Sequence, residues 1–256
     1  MPSTPRVLSI VRFLVYSKEP KSLVDISREL GISSSTTFRI VSALKEEGWA
    51  SPDPSSKKYK VGSGFLGLAV SLLSRSDFRN VSLPYLKMLQ EKVDEGVMLA
   101  IRIGLERMYI DQIECRHELR QVAELGTRMP LWLGGAGKAI LAHLEEDEVE
   151  EVLKQAKGKF FVSGKPVNLQ RLRRELKEIR RQGFAVSCGE RLPGINMVAA
   201  PIFDRNRQVV GTLCVGGPDL RFTRDGAIRC APLVSKIAKE ISFKLGLQSS
   251  GVNLTG

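Results

Sequence analysis

Hydroxyl and cationic side chains gather between Ser33 and Lys58 at a spacing that suits polyanion recognition. Ser33, Ser34, Ser35 and Thr36 stand at the start of a predicted helix, Arg39 and Ser42 follow on its outward side, and Lys57 and Lys58 lie in a loop beyond it. Hydroxyls and free N–H groups at a helix start bind phosphate oxygens, and a guanidinium forks onto a guanine edge or a phosphate. Such a face suits a helix entering a major groove N-terminus first, with Ala43 near a thymine methyl and the two lysines beside a backbone or minor groove. A second chemical signal is Gly134-Gly135-Ala136-Gly137, which precedes a helix, so unhindered N–H groups at its positive end could receive a carboxylate. Close backbone packing explains that glycine-rich turn equally well.

The elements that would position the first set can be read from periodicity. Leu23, Ile26 and Leu30 recur on one face of a helix over Leu23 to Leu30, with Ser22 as its N-cap, Asp25 three residues on, and Gly31 ending it in a left-handed turn. From Ser34 to Glu47, a wheel of about 100° per residue turns Thr37, Val41 and Leu44 inward, flanked by Phe38 and Ile40. Glu46 then faces away from a bound duplex. Gly48 closes that helix, Trp49-Ala50 and Tyr59-Lys60-Val61 read as short strands, and Ser51 to Lys58 forms the loop of a wing. Val7, Ile10, Val11 and Leu14 supply a third helix for the core. The expected unit is a winged helix-turn-helix.

Composition agrees and excludes more than it proves. A formal net charge of +11 favours polyanionic partners without specifying a fold. Part of the surplus lies between Lys154 and Arg181, where the apolar stripe of Leu169, Leu172, Leu176 and Ile179 favours the solvated face of a packed helix, with a second nucleic-acid contact as the alternative. No apolar run reaches the length of a membrane span and the N-terminus has no signal-peptide core, so a cytoplasmic protein with no membrane partner is expected. Cys115, Cys188, Cys214 and Cys230 form no Cys-x-x-Cys pair, as suits reduced thiols. Cys115-x-His117 is the only close soft-ligand pair, too little for a zinc site, so neither metal nor cofactor is expected. A cysteine hydrolase pairing Cys188 or Cys214 with His117 or His143 is the competing enzyme reading, and no local motif supports it.

The 256 residues suit two domains. After the wing, Gly62 to Leu73 reads as a helix and Ser82 to Val93, broken early by Pro84, as a helical linker. Strands are expected at Val97 to Ile103, Met108 to Cys115, Gln121 to Leu125, Phe184 to Ser187, Met197 to Phe203 and Val209 to Gly216, with turns at Gly104 to Arg107 and Asp204 to Arg207. Helices are expected at Gly137 to Leu144, Asp147 to Ala156, Leu169 to Gln182 and Thr223 to Leu245. The fold class is therefore α+β with an antiparallel sheet. Boundaries fall at 1–73 for the winged helix-turn-helix, 74–95 for the linker helix, 96–247 for the second domain and 248–256 for a polar, disordered tail.

These residues resemble one family, the IclR-type bacterial transcriptional regulators. The likeness is carried by the run Leu23 to Leu44 and by Tyr59-Lys60-Val61-Gly62. In the second domain it is carried by Pro130-Leu131, Gly135 to Ala142, Ile179 to Ala185, Gly194, Ala199-Ala200-Pro201-Ile202 and Val215-Gly216-Gly217-Pro218. The resemblance spans about residues 6 to 245. It implies a linker helix joining the DNA-binding domain to a GAF-like effector-binding and oligomerisation domain, and a homodimer or homotetramer on a palindromic double-stranded DNA operator. It further implies control by a small-molecule effector, an organic acid or aromatic compound, and repression more than activation. It places effector contacts at Leu133, Gly134, Gly135 and Ala136, at Ser187, and on the strands carrying Met197, Cys214 and Gly216.

The sequence departs from the family pattern at several of these positions. Ser187 stands where an acidic residue is common, Met197 where a cysteine is frequent, and Cys214 and Gly216 where small hydroxyl residues often occur. The expected site is softer and suits an aromatic or longer apolar carboxylate, with core packing as the alternative role for Ser187, Met197 and Cys214. Ser34 replaces a basic residue usual near the start of the recognition helix, while Arg39 is retained. That substitution leaves room for another reading, a GAF-type ligand sensor whose helix-turn-helix serves protein interaction.

Overall fold

The computed structural model describes residues 3–247, and its contacts divide the chain into two compact units, 1–76 and 77–256. The first unit contains α1 (Ser3–Tyr16), α2 (Leu23–Leu30), α3 (Ser34–Glu46), β1 (Ala50–Pro52), β2 (Tyr59–Val61) and α4 (Gly64–Ser74). Ile10, Leu14, Ile26, Ile32, Val41 and Leu44 form its core, so α1, α2 and α3 each contribute one apolar stripe. Phe38, expected beside that core, is 56% exposed. Trp49 packs against the core and lies tilted against Phe65 with ring centroids 4.6 Å apart.

Local chemistry fixes the angle at which α3 leaves α2. Ser22 Oγ accepts the Asp25 N–H at 3.1 Å and Asp25 Oδ2 accepts the Ser22 N–H at 3.2 Å, a capping box that closes the start of α2. The Ser22 hydroxyl and N–H hold the Asp25 carboxyl below the usual carboxylate range. Gly31 ends α2 with φ 61°, a left-handed conformation in which other residues are strained. In the wing, Tyr59 exchanges two backbone hydrogen bonds with Lys21, at 2.7 and 2.8 Å, tying the residue before the α2 cap to β2. Gly62 lies so close to the end of α3 that a Cβ there would stand 2.1 Å from the Gly48 carbonyl oxygen.

The second unit contains α5 (Asp77–Val93), β3 (Gly96–Ile103), β4 (Glu106–Ile113), β5 (Arg128–Pro130), α6 (Gly134–Leu141), α7 (Glu146–Ala156), α8 (Leu169–Gln182), β6 (Ala185–Cys188), β7 (Ile195–Phe203), β8 (Val209–Pro218) and α9 (Arg224–Lys244). Its strands form one six-stranded sheet in the order β5-β4-β3-β8-β7-β6, with every neighbouring pair antiparallel. Alternate residues of β3, β7 and β8 enter opposite cores. Met98, Met197, Ala199 and Cys214 pack with α6, α7 and α8, whereas Val97, Leu99, Val198 and Leu213 pack with α5 and α9. Burial on both faces explains why these strands read as continuous apolar runs.

Three expectations change. Gln121 to Leu125 is not a strand: the Gln112 side chain, 2.7 Å from the Ala123 N–H and 3.3 Å from its carbonyl, takes the place of a ladder partner, and the fifth strand is β5. Segment 74–95 is more than a linker, because Leu86 and Leu89 of α5 are fully buried in the second unit's core. The turn before β4 is Gly104-Leu105, so Arg107 belongs to the strand. The tail from residue 248 lies outside the described residues.

The two local devices of the first unit differ in cost. Ser22→Ala removes one cap and should destabilise that unit by about 1 kcal/mol, while Gly62→Ala drives a methyl into backbone and should destabilise it by more. Urea unfolding followed by Trp49 fluorescence checks the order; equal midpoints for the two variants would show that the contact with Gly48 is not constraining.

Candidate functional site

The residues expected to form a recognition face lie along α3 and at its N-cap. Ser33 caps the helix, its Oγ 3.4 Å from the Thr36 N–H and 2.8 Å from Thr36 Oγ1. Ser34, Ser35 and Arg39 are exposed, and Thr36 and Ser42 are half-buried. Thr37, Val41 and Leu44 are buried as the wheel requires, which leaves a hydroxyl-lined helix start with one guanidinium beside it. The wing carries Lys57 and Lys58 exposed at its tip. That tip is shaped by Asp53, whose carboxylate accepts the Ser56 and Ser55 hydroxyls at 2.6 and 2.8 Å and is held below its ordinary pKa by them. The cations of 154–181 behave differently. On α8 they sit opposite the buried Leu172, Leu176 and Ile179, and Arg171, Arg173 and Arg181 pair with neighbouring glutamates.

In the second unit a small chamber of about 20 Å3 adjoins the start of α6, with Arg107, Tyr109, Gln121, Gly134, Ser187 and Met197 among its lining residues. Strand register brings Ser187 opposite Met197. The remaining expected contacts, Leu133, Gly135, Ala136, Cys214 and Gly216, do not line the chamber. Leu133 gives its carbonyl to Arg107 Nη2 at 3.4 Å, the Gly135 N–H donates to Ser187 Oγ at 2.8 Å, and Ala136 and Cys214 are core residues. Gly216 leaves space for Gln121, whose Oε1 would stand 2.1 Å from a Cβ there.

Arg107 is the residue the sequence did not reveal. It is 1% exposed, its guanidinium lies 4.7 Å from the centre of the Tyr109 ring, and among the described residues its Nε and Nη1 have no hydrogen-bond partner. A guanidinium stays charged under all ordinary conditions, so burying one without a carboxylate is costly. The other buried cation nearby is treated otherwise: Lys138 is paired to Glu175 and Glu190. Burial raises the Tyr109 phenol above its ordinary pKa, leaving a neutral donor whose hydroxyl points to Met197 Sδ at 3.6 Å. Gln121 Oε1 is also unpaired among the described residues. The lining thus combines two guanidiniums, Arg107 and Arg191, with the start of α6, a polar amide and the Glu190 carboxylate. Alternation within β4 was the legible signal, since Arg107 is in phase with buried Tyr109.

The cysteine and histidine pairs weighed for catalysis are not brought together. His117 pairs with Asp94 at 3.1 Å, and His143 packs edge-on against Phe203 at 5.1 Å. Burial raises the Cys188 thiol above its ordinary value and pushes Cys214 up to about 11. Among the described residues no three metal-ligating side chains converge, and no helix is long and apolar enough to cross a membrane.

A winged helix-turn-helix and a sandwiched antiparallel sheet with a small polar chamber, in one chain, define a ligand-responsive DNA-binding regulator. Comparison with known proteins narrows this. The family profile described as IclR helix-turn-helix domain matches residues 3–54, and that described as Bacterial transcriptional regulator IclR C-terminal matches residues 70–243. The chain belongs to the IclR family, DNA-binding transcriptional regulators with an effector-binding C-terminal domain. It is similar to the HTH-type transcriptional repressor AllR of Escherichia coli (strain K12), with 32% identity over 244 residues, 95% of this chain and 90% of that protein. Among solved structures, the IclR of Thermotoga maritima is 29% identical with a TM-score of 0.74, covering 95% of this chain and 98% of that one. An IclR homolog from Microbacterium hydrocarbonoxydans, solved in complex with 4-hydroxybenzoate, shares the fold, with a TM-score of 0.82, 21% identity and coverage of 95% and 99%.

His143 yields a pH prediction for the second unit. Burial pushes its imidazole down to about 4 from an ordinary 6.5, with Arg180 adding to the effect. The unfolded chain therefore binds the extra proton first, so stability is complete above about 6.5 and falls as pH drops toward about 4. Melting temperatures of the wild type should fall more steeply across that window than those of His143→Gln. Parallel curves for the two proteins would contradict the neutral, buried imidazole.

Proposed function

We propose that this protein is a repressor that binds a palindromic operator as a homodimer and is controlled by an organic carboxylate held by Arg107. The observation that carries the reading is the buried guanidinium that forms no ion pair among the described residues, beside the start of α6 in a chain that also carries a winged helix-turn-helix. Repression is supported by the name of the Escherichia coli relative, and an aromatic body on the acid by the 4-hydroxybenzoate bound to the Microbacterium homolog. Met197, Leu192 and Ile195 offer apolar wall for such a body, and Gly134, Ser187, Tyr109 and Gln121 polar contacts around its head. On the DNA side, Ser33, Ser34, Ser35, Thr36, Arg39 and Ser42 meet the major groove, and Lys57 and Lys58 the flanking backbone. Its place of work is the cytoplasm, at the operator.

The dimer is supported by α4. Its sequence from Gly64 to Ser74 holds no charged residue, none of its residues is buried, and Leu66, Leu68, Val70 and Leu72 are 65%, 48%, 57% and 73% exposed. A helix apolar on all sides needs cover, and a second copy provides the same helix in return, an isologous contact that matches a two-fold operator. A tetramer would join two such pairs.

One experiment tests the switch. Fluorescence anisotropy with DNA from upstream of the protein's own gene should show that Arg39→Ala weakens binding and lowers the salt slope by about one. Arg107→Met should bind that DNA as the wild type does but lose release by benzoate or 4-hydroxybenzoate. Release unaltered in Arg107→Met would overturn the assignment of the anion site. For the assembly, Leu68→Lys with Leu72→Lys should shift sedimentation from dimer to monomer and weaken operator binding; an unchanged dimer would exclude α4 as its interface.

A further inference from the structure

The positive end of α6 is already occupied by a carboxylate, and it is the protein's own. Glu190 Oε2 accepts the Gly134 N–H at 3.0 Å, and Glu190 Oε1 accepts Lys138 Nζ at 2.5 Å. Lys138, whose side chain is 3% exposed, is held on its other side by Glu175 at 3.0 Å. Glu190 thus satisfies the N–H that an anionic ligand would take, while the guanidinium of Arg107 across the same chamber keeps two donors unpaired among the described residues.

Glu190 also stands between two hollows. It lines both the small chamber of about 20 Å3 and a groove of about 860 Å3 that runs along α8 and β6. The chamber has room for about one water molecule. An organic carboxylate is several times larger, so some part of the wall moves when one binds. β4 and β7 are hydrogen-bonded to strands on both sides, and Gly134 begins a helix that is buried throughout. Segment 189–194 differs. It lies outside the strands and helices and is bounded by Gly189 and Gly194, with φ of 63° and 70°. Its ends close on each other through the Gly189 N–H to the Ile195 carbonyl at 2.9 Å, and Glu190 supplies the side-chain anchor near its start. The groove leading to it holds Lys138, Lys165, Arg171 and Arg224 against three glutamates, a small surplus of cations.

We propose that Glu190 is an internal stand-in for the effector's carboxylate and the latch of the chamber. A carboxylate arriving along the groove takes over the Gly134 N–H and pairs with Arg107. Glu190 is displaced from the helix end and segment 189–194 is released, joining the chamber to the groove. The latch makes charge the condition for opening, since a neutral analogue cannot compete for the position that Glu190 fills. Effector affinity in the wild type is lowered by the work of displacing Glu190. This proposal rests on the carboxylate reading given above.

The test compares wild type, Glu190→Gln and Arg107→Met by calorimetric titration with acetate, benzoate, 4-hydroxybenzoate and, as a neutral control, benzamide. Removing the competing charge should tighten benzoate or 4-hydroxybenzoate about tenfold, the scale of one charge-assisted hydrogen bond, while Arg107→Met abolishes binding and benzamide binds none of them. Trypsin cleavage at Arg191-Leu192 gives a second readout that needs no ligand. It should be slow in the wild type and several-fold faster in Glu190→Gln, and carboxylate at saturation should speed it in the wild type, which keeps the test valid should the variant fold poorly. If carboxylates bind the wild type through Arg107 but Glu190→Gln binds no tighter and cleavage at Arg191 does not change, the latch is wrong and the carboxylate site stands. If no carboxylate binds any of the folded proteins, the carboxylate reading fails and takes the latch with it.

Discussion

A guanidinium that cannot lose its proton is held almost out of water in the second unit, and much of the local structure is arranged around that fact. Arg107 sits on the face of β4 that turns toward α6, with the Tyr109 ring beneath it and the Leu133 carbonyl as its remaining contact. In a low-dielectric interior an isolated charge is compensated by whatever partial charges surround it, and here these include a π face and one carbonyl oxygen. The N-terminus of α6 adds positive potential to the same place. Two like-signed features are thereby pointed at one small space, where the Glu190 carboxylate meets the helix end while Arg107 has no ion-pair partner among the described residues.

The first unit solves a different problem, that of presenting polar groups without losing their positions. The hydroxyls at the start of α3 are spread over the first turn, and their aim depends on how α2 hands the chain over. The capping box at Ser22 and Asp25, the left-handed Gly31 and the backbone exchange between Lys21 and Tyr59 fix that handover from three sides. Gly62 then lets β2 lie against the last turn of α3 at a distance no other residue permits. The recognition helix is thus held at both ends by backbone geometry, and its outward side chains are free to be chosen for contact alone.

The elements that hold α3 were legible because each rests on a local signal: a cap residue, a glycine, a stripe at helical spacing. Strands buried on both faces were legible as strands, but apolar runs carry no record of their order in the sheet. Gln121 to Leu125 misled because an apolar cluster in an irregular segment looks like a strand; Val122 and Leu125 are in fact each 47% exposed, and a side chain supplies the hydrogen bonds. Arg107 was hidden by placing the turn two residues too late, which moved a core-facing cation into a solvated loop. Glu190 left no trace in its neighbourhood. Its significance comes from a hydrogen bond to Gly134, 56 residues away, and such a partner is fixed by tertiary packing rather than by spacing.

The outermost strands of the sheet, β5 and β6, span three and four residues, whereas the four between them span eight to ten. Most of the ladder is therefore spent internally, and the two outermost strands themselves turn only a few amide and carbonyl groups outward. A sheet this apolar with long open rims would recruit strands from other chains and add to itself without limit. With its rims cut short, it resists growth by strand addition, and a cell can accumulate the protein without turning its most hydrophobic element into a template for aggregation.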